Sequence, residues 1–359
     1  NSIIPITESV NNFTDSIFLI FMKKFSILFG LFILMWACQK DENKLNNTDE
    51  YFLKVPIGFP DPNIPDDNKL TRSRIALGKQ IFYDPILSKD STRSCGSCHN
   101  QYLAFADSSA VSFGIEQRAG TRNSLSLANV AYQKALLREG GVPTLEMQVL
   151  VPIQEHNEFN YNMLLIVDRM KRIPAYVEAA QKAYNREIDP FVITRSIAAF
   201  ERTLLSGNSP FDQWFYQKKN SAVGDDVKRG YSLFTNERLN CIKCHNGFLF
   251  TDQSFTNNGL YIDYADSGRI RLTGLDVDRA VFKVPSLRNV GLTAPYMHDG
   301  SFKTLDAVID HYQTGGKAHP NKSIFLKPFM LSAQERLDLL AFLNSLTDLE
   351  FIKNPEFKL

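Results

Sequence analysis

Cys95-Gly96-Ser97-Cys98-His99 and Cys241-Ile242-Lys243-Cys244-His245 decide how this chain is read. Both follow the C-x-x-C-H pattern of covalent haem attachment, in which two thiols form thioethers with the porphyrin and the adjoining imidazole ligates iron. On a helical turn residues i and i+3 share a face, so each cysteine pair reaches one macrocycle while the next histidine turns towards the metal. A shared zinc site would need four ligands drawn from both pentapeptides, and a dithiol redox pair does not require the histidines. The chain therefore reads as a c-type cytochrome with two covalent haems, carried by Cys95, Cys98 and His99 and by Cys241, Cys244 and His245.

A chain of 359 residues has room for two ordinary domains. Its formal charge of +1 argues against nucleic acid or an acidic membrane surface as the main partner. The two motifs use four of the five cysteines, so disulfides have no part in the plan, and haem attachment implies export. The fifth, Cys38, follows Met22-Lys23-Lys24 and an apolar run from Phe25 to Ala37, and precedes the polar Gln39-Lys40-Asp41-Glu42-Asn43. A basic start, a short apolar core and an abrupt polar break read as a secretory signal. Ala37-Cys38 resembles a bacterial lipoprotein cleavage site, which would give a lipid anchor at Cys38; Trp36 fits that consensus poorly. Residues 1–37 are thus an upstream extension and lipoprotein signal peptide, and 38–67, rich in Asn, Asp and Pro, a tether.

Helical patterning begins at Lys69 to Tyr83, with Leu70, Ile75, Leu77 and Ile81 on one stripe and Pro85 as its stop. It resumes at Met163 to Met170, Ala175 to Tyr184 and Ile193 to Leu205, separated by Pro174 and Pro190. A last helix starts at Ser332, where Ser332 and Glu335 form a capping box, and presents Leu337, Leu340, Leu343 and Leu346. A repeat runs through the chain: Ser126-Leu127-Ala128-Asn129-Val130 recurs as Ser286-Leu287-Arg288-Asn289-Val290, and Thr144-Leu145-Glu146 as Thr304-Leu305-Asp306. Gly78 and Phe82 before the first motif match Gly230 and Phe234 before the second. The expected fold is all-α, two cytochrome c-like domains at 68–217 and 218–359, joined through the small and polar residues of Tyr216 to Gly224.

From Leu70 to Leu346 the arrangement resembles the bacterial dihaem cytochrome c peroxidase and MauG family. The most specific stretch is Phe282-Lys283-Val284-Pro285-Ser286-Leu287-Arg288-Asn289-Val290, continuing through Leu292-Thr293-Ala294-Pro295-Tyr296-Met297-His298-Asp299-Gly300. The resemblance implies that hydrogen peroxide reacts at the N-terminal haem and that the C-terminal haem relays electrons. Gln148 and Glu158 fall where the family keeps the residues of its peroxide pocket. A carboxylate suits that position, because peroxide cleavage moves a proton from one oxygen to the other.

Three departures bear on the branch. Where peroxidases of this family place a sixth-ligand histidine after the first motif, Gly114 is followed by Ile115, which cannot bind iron; the first haem should be open. At the sixth ligand of the second haem, where those peroxidases use methionine, the chain has Tyr312, as in MauG-type enzymes; a phenolate favours oxidised iron. His311, Met297, His298 and Met330 are rivals for that position. Finally, the Trp-Asp-Gly that carries the family's inter-haem relay reads Arg138-Glu139-Gly140, so charge should pass more slowly or through another aromatic.

The resemblance also implies calcium between the domains, held by Asn123 and the carbonyls of Thr293 and Pro295. The function expected is reduction of hydrogen peroxide to water with electrons from a small c-type cytochrome or cupredoxin. Alternatives are a MauG-like oxidase of a protein or small molecule and a non-catalytic electron carrier. The protein is expected in the envelope of a Gram-negative bacterium, periplasmic or anchored in the outer membrane, and relatives commonly form homodimers.

Overall fold

Thirteen helices carry the architecture among the described residues of this computed structural model, which are 49–359. The signal segment, the Cys38 anchor and the start of the tether lie outside them. The first half holds α1 (Arg72–Tyr83), α2 (Cys95–Cys98), α3 (Leu145–Gln148), α4 (Leu150–Gln154), α5 (Met163–Met170), α6 (Pro174–Tyr184) and α7 (Pro190–Glu201). Then follow α8 (Pro210–Phe215), α9 (Asp225–Thr235), α10 (Ile270–Thr273), α11 (Leu305–Gln313), α12 (Ala333–Ser345) and α13 (Leu349–Lys353). Two-residue strands β1 (Phe255–Thr256) and β2 (Phe282–Lys283) pair antiparallel, and short 3-10 turns make up the remainder. The fold is all-α with two cytochrome c-type domains. No helix among the described residues is long and apolar enough to cross a membrane.

Local signals set the helix ends. Thr71 caps α1 by accepting from the Arg74 N–H, and α1 stops at Tyr83 because the residue before Pro85 disfavours helical geometry. Pro174 and Pro190 occupy the first turns of α6 and α7, where a missing N–H costs nothing. Ser332 and Glu335 form the capping box of α12. The buried face of α12, however, is Leu339, Phe342 and Leu343, followed by Leu346; Leu337 is 60% exposed. The expected stripe used steps of three throughout, which drift off a 3.6-residue period, whereas 339, 342, 343 and 346 track it.

The repeat is a repeated frame. Helix α1 crosses α7 at Gly78, where a Cβ would stand 1.8 Å from the Ser196 carbonyl, and α9 crosses α12 at Gly230, 1.9 Å from that of Asp338. Phe82 and Phe234, one turn on, are buried in their respective cores. Asn129 and Asn289 are wholly buried, left-handed, and donate their N–H to Leu204 and Leu346 respectively. Ser126 Oγ donates to Ala104 O at 2.6 Å and Ser286 Oγ to Leu249 O at 2.7 Å.

The cores reach across the 217/218 boundary in both directions. Phe211, with Trp214, Phe215 and Tyr216, packs into the second core, although the split at 217/218 assigns it to the first. Arg288 explains this: it stands where the first repeat has Ala128, and its buried ion pair with Asp212 ties α8 to the second half. The C-terminal tail moves in the opposite direction. Phe351, Ile352 and Phe357 join the first core, and Gln101 donates to the Asn354 carbonyl at 2.8 Å. Within the described part of the tether, Phe59 is buried against Tyr132, Tyr216, Phe248 and the Arg288 guanidinium.

Candidate functional site: two histidines on one cavity

Each C-x-x-C-H segment is a single tight turn: α2 for the first, a 3-10 turn over Cys241–Lys243 for the second. His99 N–H donates to Cys95 O at 3.0 Å and His245 N–H to Cys241 O at 2.9 Å, which brings each histidine back beside its cysteines. The ring Nδ1 of His99 lies 2.9 Å from Phe105 O, and that of His245 3.1 Å from Phe250 O. A carbonyl at Nδ1 fixes the tautomer with Nε2 free to bind iron. Burial lowers both imidazole pKa values, which favours the neutral form that a metal requires.

One cavity of about 780 Å³ reaches both histidines. Cys98, Cys241 and Cys244 line it; Cys95 lines a smaller space of about 40 Å³ that shares Cys98, His99, Gln148 and Glu158 with it. All four thiols are unpaired, and burial pushes each above the usual thiol range. No three His, Cys, Asp or Glu side chains among the described residues gather as a metal-ion site. Unpaired cysteine pairs, oriented imidazoles and a shared buried cavity fit covalent haem in both halves.

On the first side, Gln148 at the end of α3 and Glu158 border the cavity beside His99. Glu158 is open by surface area and yet enclosed by protein, because its free face is turned to the cavity. That enclosure raises its pKa to about 7, with Glu155 adding to the shift. The segment carrying Ile115 holds the glutamate in place. Ile115 N–H donates to Glu158 O at 2.9 Å, and Gly114 lies so close that a Cβ would fall 2.4 Å from that same oxygen. The Ile115 side chain itself is fully buried and does not line the cavity.

Sequence reasoning passed over Glu201, which is 4% exposed, borders the smaller space and leaves Oε2 without a hydrogen bond. Burial raises its pKa to about 8. The signal was a glutamate at the end of the apolar run Ile197-Ala198-Ala199-Phe200.

On the second side Tyr312, Met297 and His298 line the cavity with His245. Asn258 joins two of them: its amide donates to Met297 Sδ at 3.2 Å and it hydrogen-bonds the Tyr312 hydroxyl, whose pKa burial raises to about 12. Two rivals drop out. His311 Nε2 lies 2.9 Å from Asn258 O, and Met330 is 78% exposed; neither lines the cavity. His298 stacks on Phe282 at 4.3 Å.

Between the halves, Asn123 does not fit the calcium site expected of it. Arg138 Nε donates to Asn123 O and Nη2 to Asn123 Oδ1, both at 2.9 Å. Asn123 Nδ2 donates to Ser109 O at 3.2 Å, which fixes the amide with its oxygen towards the guanidinium. The asparagine oxygens expected to ligate calcium accept from an arginine instead.

The fold and the site thus define a covalent di-haem c-type cytochrome with an acid-lined pocket on one side. A di-haem cytochrome c peroxidase family model matches residues 72–221, and a cytochrome c model matches 227–347. The methylamine utilization protein MauG of Methylorubrum extorquens is 40% identical over 286 residues, covering 79% of this chain and 80% of that protein. The cytochrome c551 peroxidase of Nitrosomonas europaea is 34% identical over 288 residues, covering 79% and 81%. A solved MauG-like protein associated with microbial copper homeostasis superposes with a TM-score of 0.82 at 34% identity, covering 86% of this chain and 99% of its own. The chain belongs to the di-haem cytochrome c peroxidase and MauG family, is an oxidoreductase, and carries two c-type haems.

Proposed function

We propose that the protein reduces hydrogen peroxide to water on the His99 side, with electrons from a small c-type cytochrome or cupredoxin, in the cell envelope. The observation that carries this reading is Glu158 beside Gln148 on the wall of the first-motif cavity, with a pKa near 7. The haem on His99, when bound, supplies the iron for a peroxide oxygen and the redox equivalents for its reduction. The Glu158 carboxylate takes the proton from the nearer peroxide oxygen and returns it to the farther one, which leaves as water. A group titrating near neutrality does both steps with little penalty. The Gln148 amide orients the peroxide by hydrogen bonding, and the Ile115 N–H keeps Glu158 facing the cavity.

Electron paramagnetic resonance of the resting ferric protein tests the open first side. A high-spin signal beside a low-spin one is expected; two low-spin signals would exclude it and favour a simple electron carrier. Peroxide added with reduced cytochrome c should oxidise the cytochrome rapidly.

Tyr312 favours a second reading, MauG-like oxidation of a protein or small molecule, since a phenolate ligand stabilises oxidised iron. Tyr312→Met should raise the potential of the second haem and leave the high-spin signal of the first unchanged. An unaltered second potential would remove Tyr312 from the iron. Slow cytochrome turnover with a persistent oxidised state would select this reading over the first.

A further inference from the structure

Arg138 is enclosed by protein and borders the cavity between the two haem motifs. Its guanidinium holds both oxygens of Asn123 through Nε and Nη2. Nearby carboxylates are engaged elsewhere: Glu139 with Arg122 and Arg271, Asp266 with Arg122, Asp299 with the Tyr261 hydroxyl. Lys283 adjoins it through a 2.6 Å bond from its N–H to Arg138 O. The Lys283 ammonium donates only to neutral acceptors, Gln133 Oε1 at 3.0 Å and Ala135 O at 2.8 Å.

We infer that Arg138, supported by Lys283, is a built-in replacement for calcium, so that this protein functions without a metal ion between its haem-binding halves. An asparagine side-chain oxygen and main-chain carbonyls form a site for a hard cation. A guanidinium satisfies both Asn123 oxygens through directed N–H bonds and cannot be lost by chelation. One charge each on Arg138 and Lys283 gives the two charges of a calcium ion. Two buried cations with no carboxylate in direct contact are costly, and the charges of Asp299, Asp266 and Glu139 offset this at Arg138 only in part. Haem, when bound in the cavity that Arg138 and Lys283 line, would bring carboxylates of the opposite sign. Arg138 also stands where relatives keep a relay indole, so one substitution removes a relay and installs a cation.

The inference rests on family membership for the place of the cation and not on the reaction proposed above; calcium content is read without turnover. The holoprotein, dialysed against EGTA, should contain no stoichiometric calcium by elemental mass spectrometry. EGTA should leave its paramagnetic resonance spectrum and both haem potentials unchanged. One calcium per chain, lost to EGTA with a change in spectrum, would overturn the inference. Arg138→Gln keeps much of the side chain, removes the charge and frees the Asn123 oxygens. Adding millimolar calcium chloride to this variant should return its altered haem signals towards wild type. A variant indifferent to calcium would count against the guanidinium as a substitute. Should the variant fail to retain haem, the calcium content of the wild-type holoprotein still decides.

Discussion

The two halves share a frame and differ in what they place against their haems. Thr144 caps α3 and Thr304 caps α11 in the same way, so positions four and eight residues on correspond. At the fourth the first half has Gln148 and the second Val308; at the eighth, Pro152 and Tyr312, all four on the cavity. Pro152 accompanies a helix broken into α3 and α4, whereas α11 runs unbroken to Gln313. The paired crossings at Ser196 and Asp338 set a second register, in which Glu201 of the first half corresponds to Leu343 of the second. Duplication preserved the turns that hold haem and left each facing wall free to change. The first wall carries the carboxylates of Glu155 and Glu158, and the second carries Tyr312, Met297, His298 and Asn258 in place of them.

The largest effect should come from removing the first wall's proton carrier. Glu158→Gln is expected to slow peroxide consumption by about 10²–10⁴-fold while both haems stay attached. The wild-type pH profile sharpens the contrast. A raised pKa means the carboxylate needed to accept a proton is lost as pH falls below about 7, and not below the usual 4.5. The second-order rate with peroxide should therefore fall below pH 7 in the wild type, and this limb should vanish in the variant. An unchanged rate would take Glu158 out of the reaction.

Glu201 gives the next effect, on stability. Its pKa is raised from 4.5 to about 8 by burial, with Arg202 opposing and Glu146 adding. Between those values the unfolded chain gives up a proton that the folded chain keeps. The folded state then binds more protons, so stability is full below pH 4.5 and is lost as pH rises through 8. The slope is limited to about 1.4 kcal/mol per pH unit. Glu201→Leu copies the second half and should flatten denaturant midpoints of the holoprotein across this window. A wild-type curve already flat from pH 5 to 8 would contradict the assignment.

Much of this was legible in the chain. The pentapeptides, the doubled Ser-Leu-x-Asn-Val and the Gly78/Gly230 pair are local patterns, and each found a local cause. Gln148, Glu158 and Tyr312 reached the cavity because short segments anchored to repeated caps carry them. What stayed hidden depends on distant chain. Phe351 and Phe357 have no periodicity to say that they fill the first core, and Arg288 declares its bond to Asp212 only when both are folded. The pairing of Arg138 with Asn123 was hidden in the same way: nothing in either residue alone says that guanidinium and amide meet across fifteen residues of chain.

The smallest effect tests whether the frame is duplicated in energy as well as in shape. Gly78→Ala and Gly230→Ala each drive a methyl into a helix carbonyl at nearly the same distance, 1.8 and 1.9 Å. Overpacking of this kind costs about 1–3 kcal/mol, offset slightly by the better helix propensity of alanine. If the two crossings do equal duty, both variants should lower the denaturant midpoint to a similar degree with both haems bound. Their functional consequences should still part. Backbone movement in α7 reaches Glu201 and the first wall, so Gly78→Ala should change the high-spin signal. Movement in α12 reaches Leu343, so Gly230→Ala should change only the low-spin one. Equal disturbance of both signals by either variant would mean that the exchanged ends, Phe59 in one direction and Phe351 in the other, couple the halves too tightly to be treated as two.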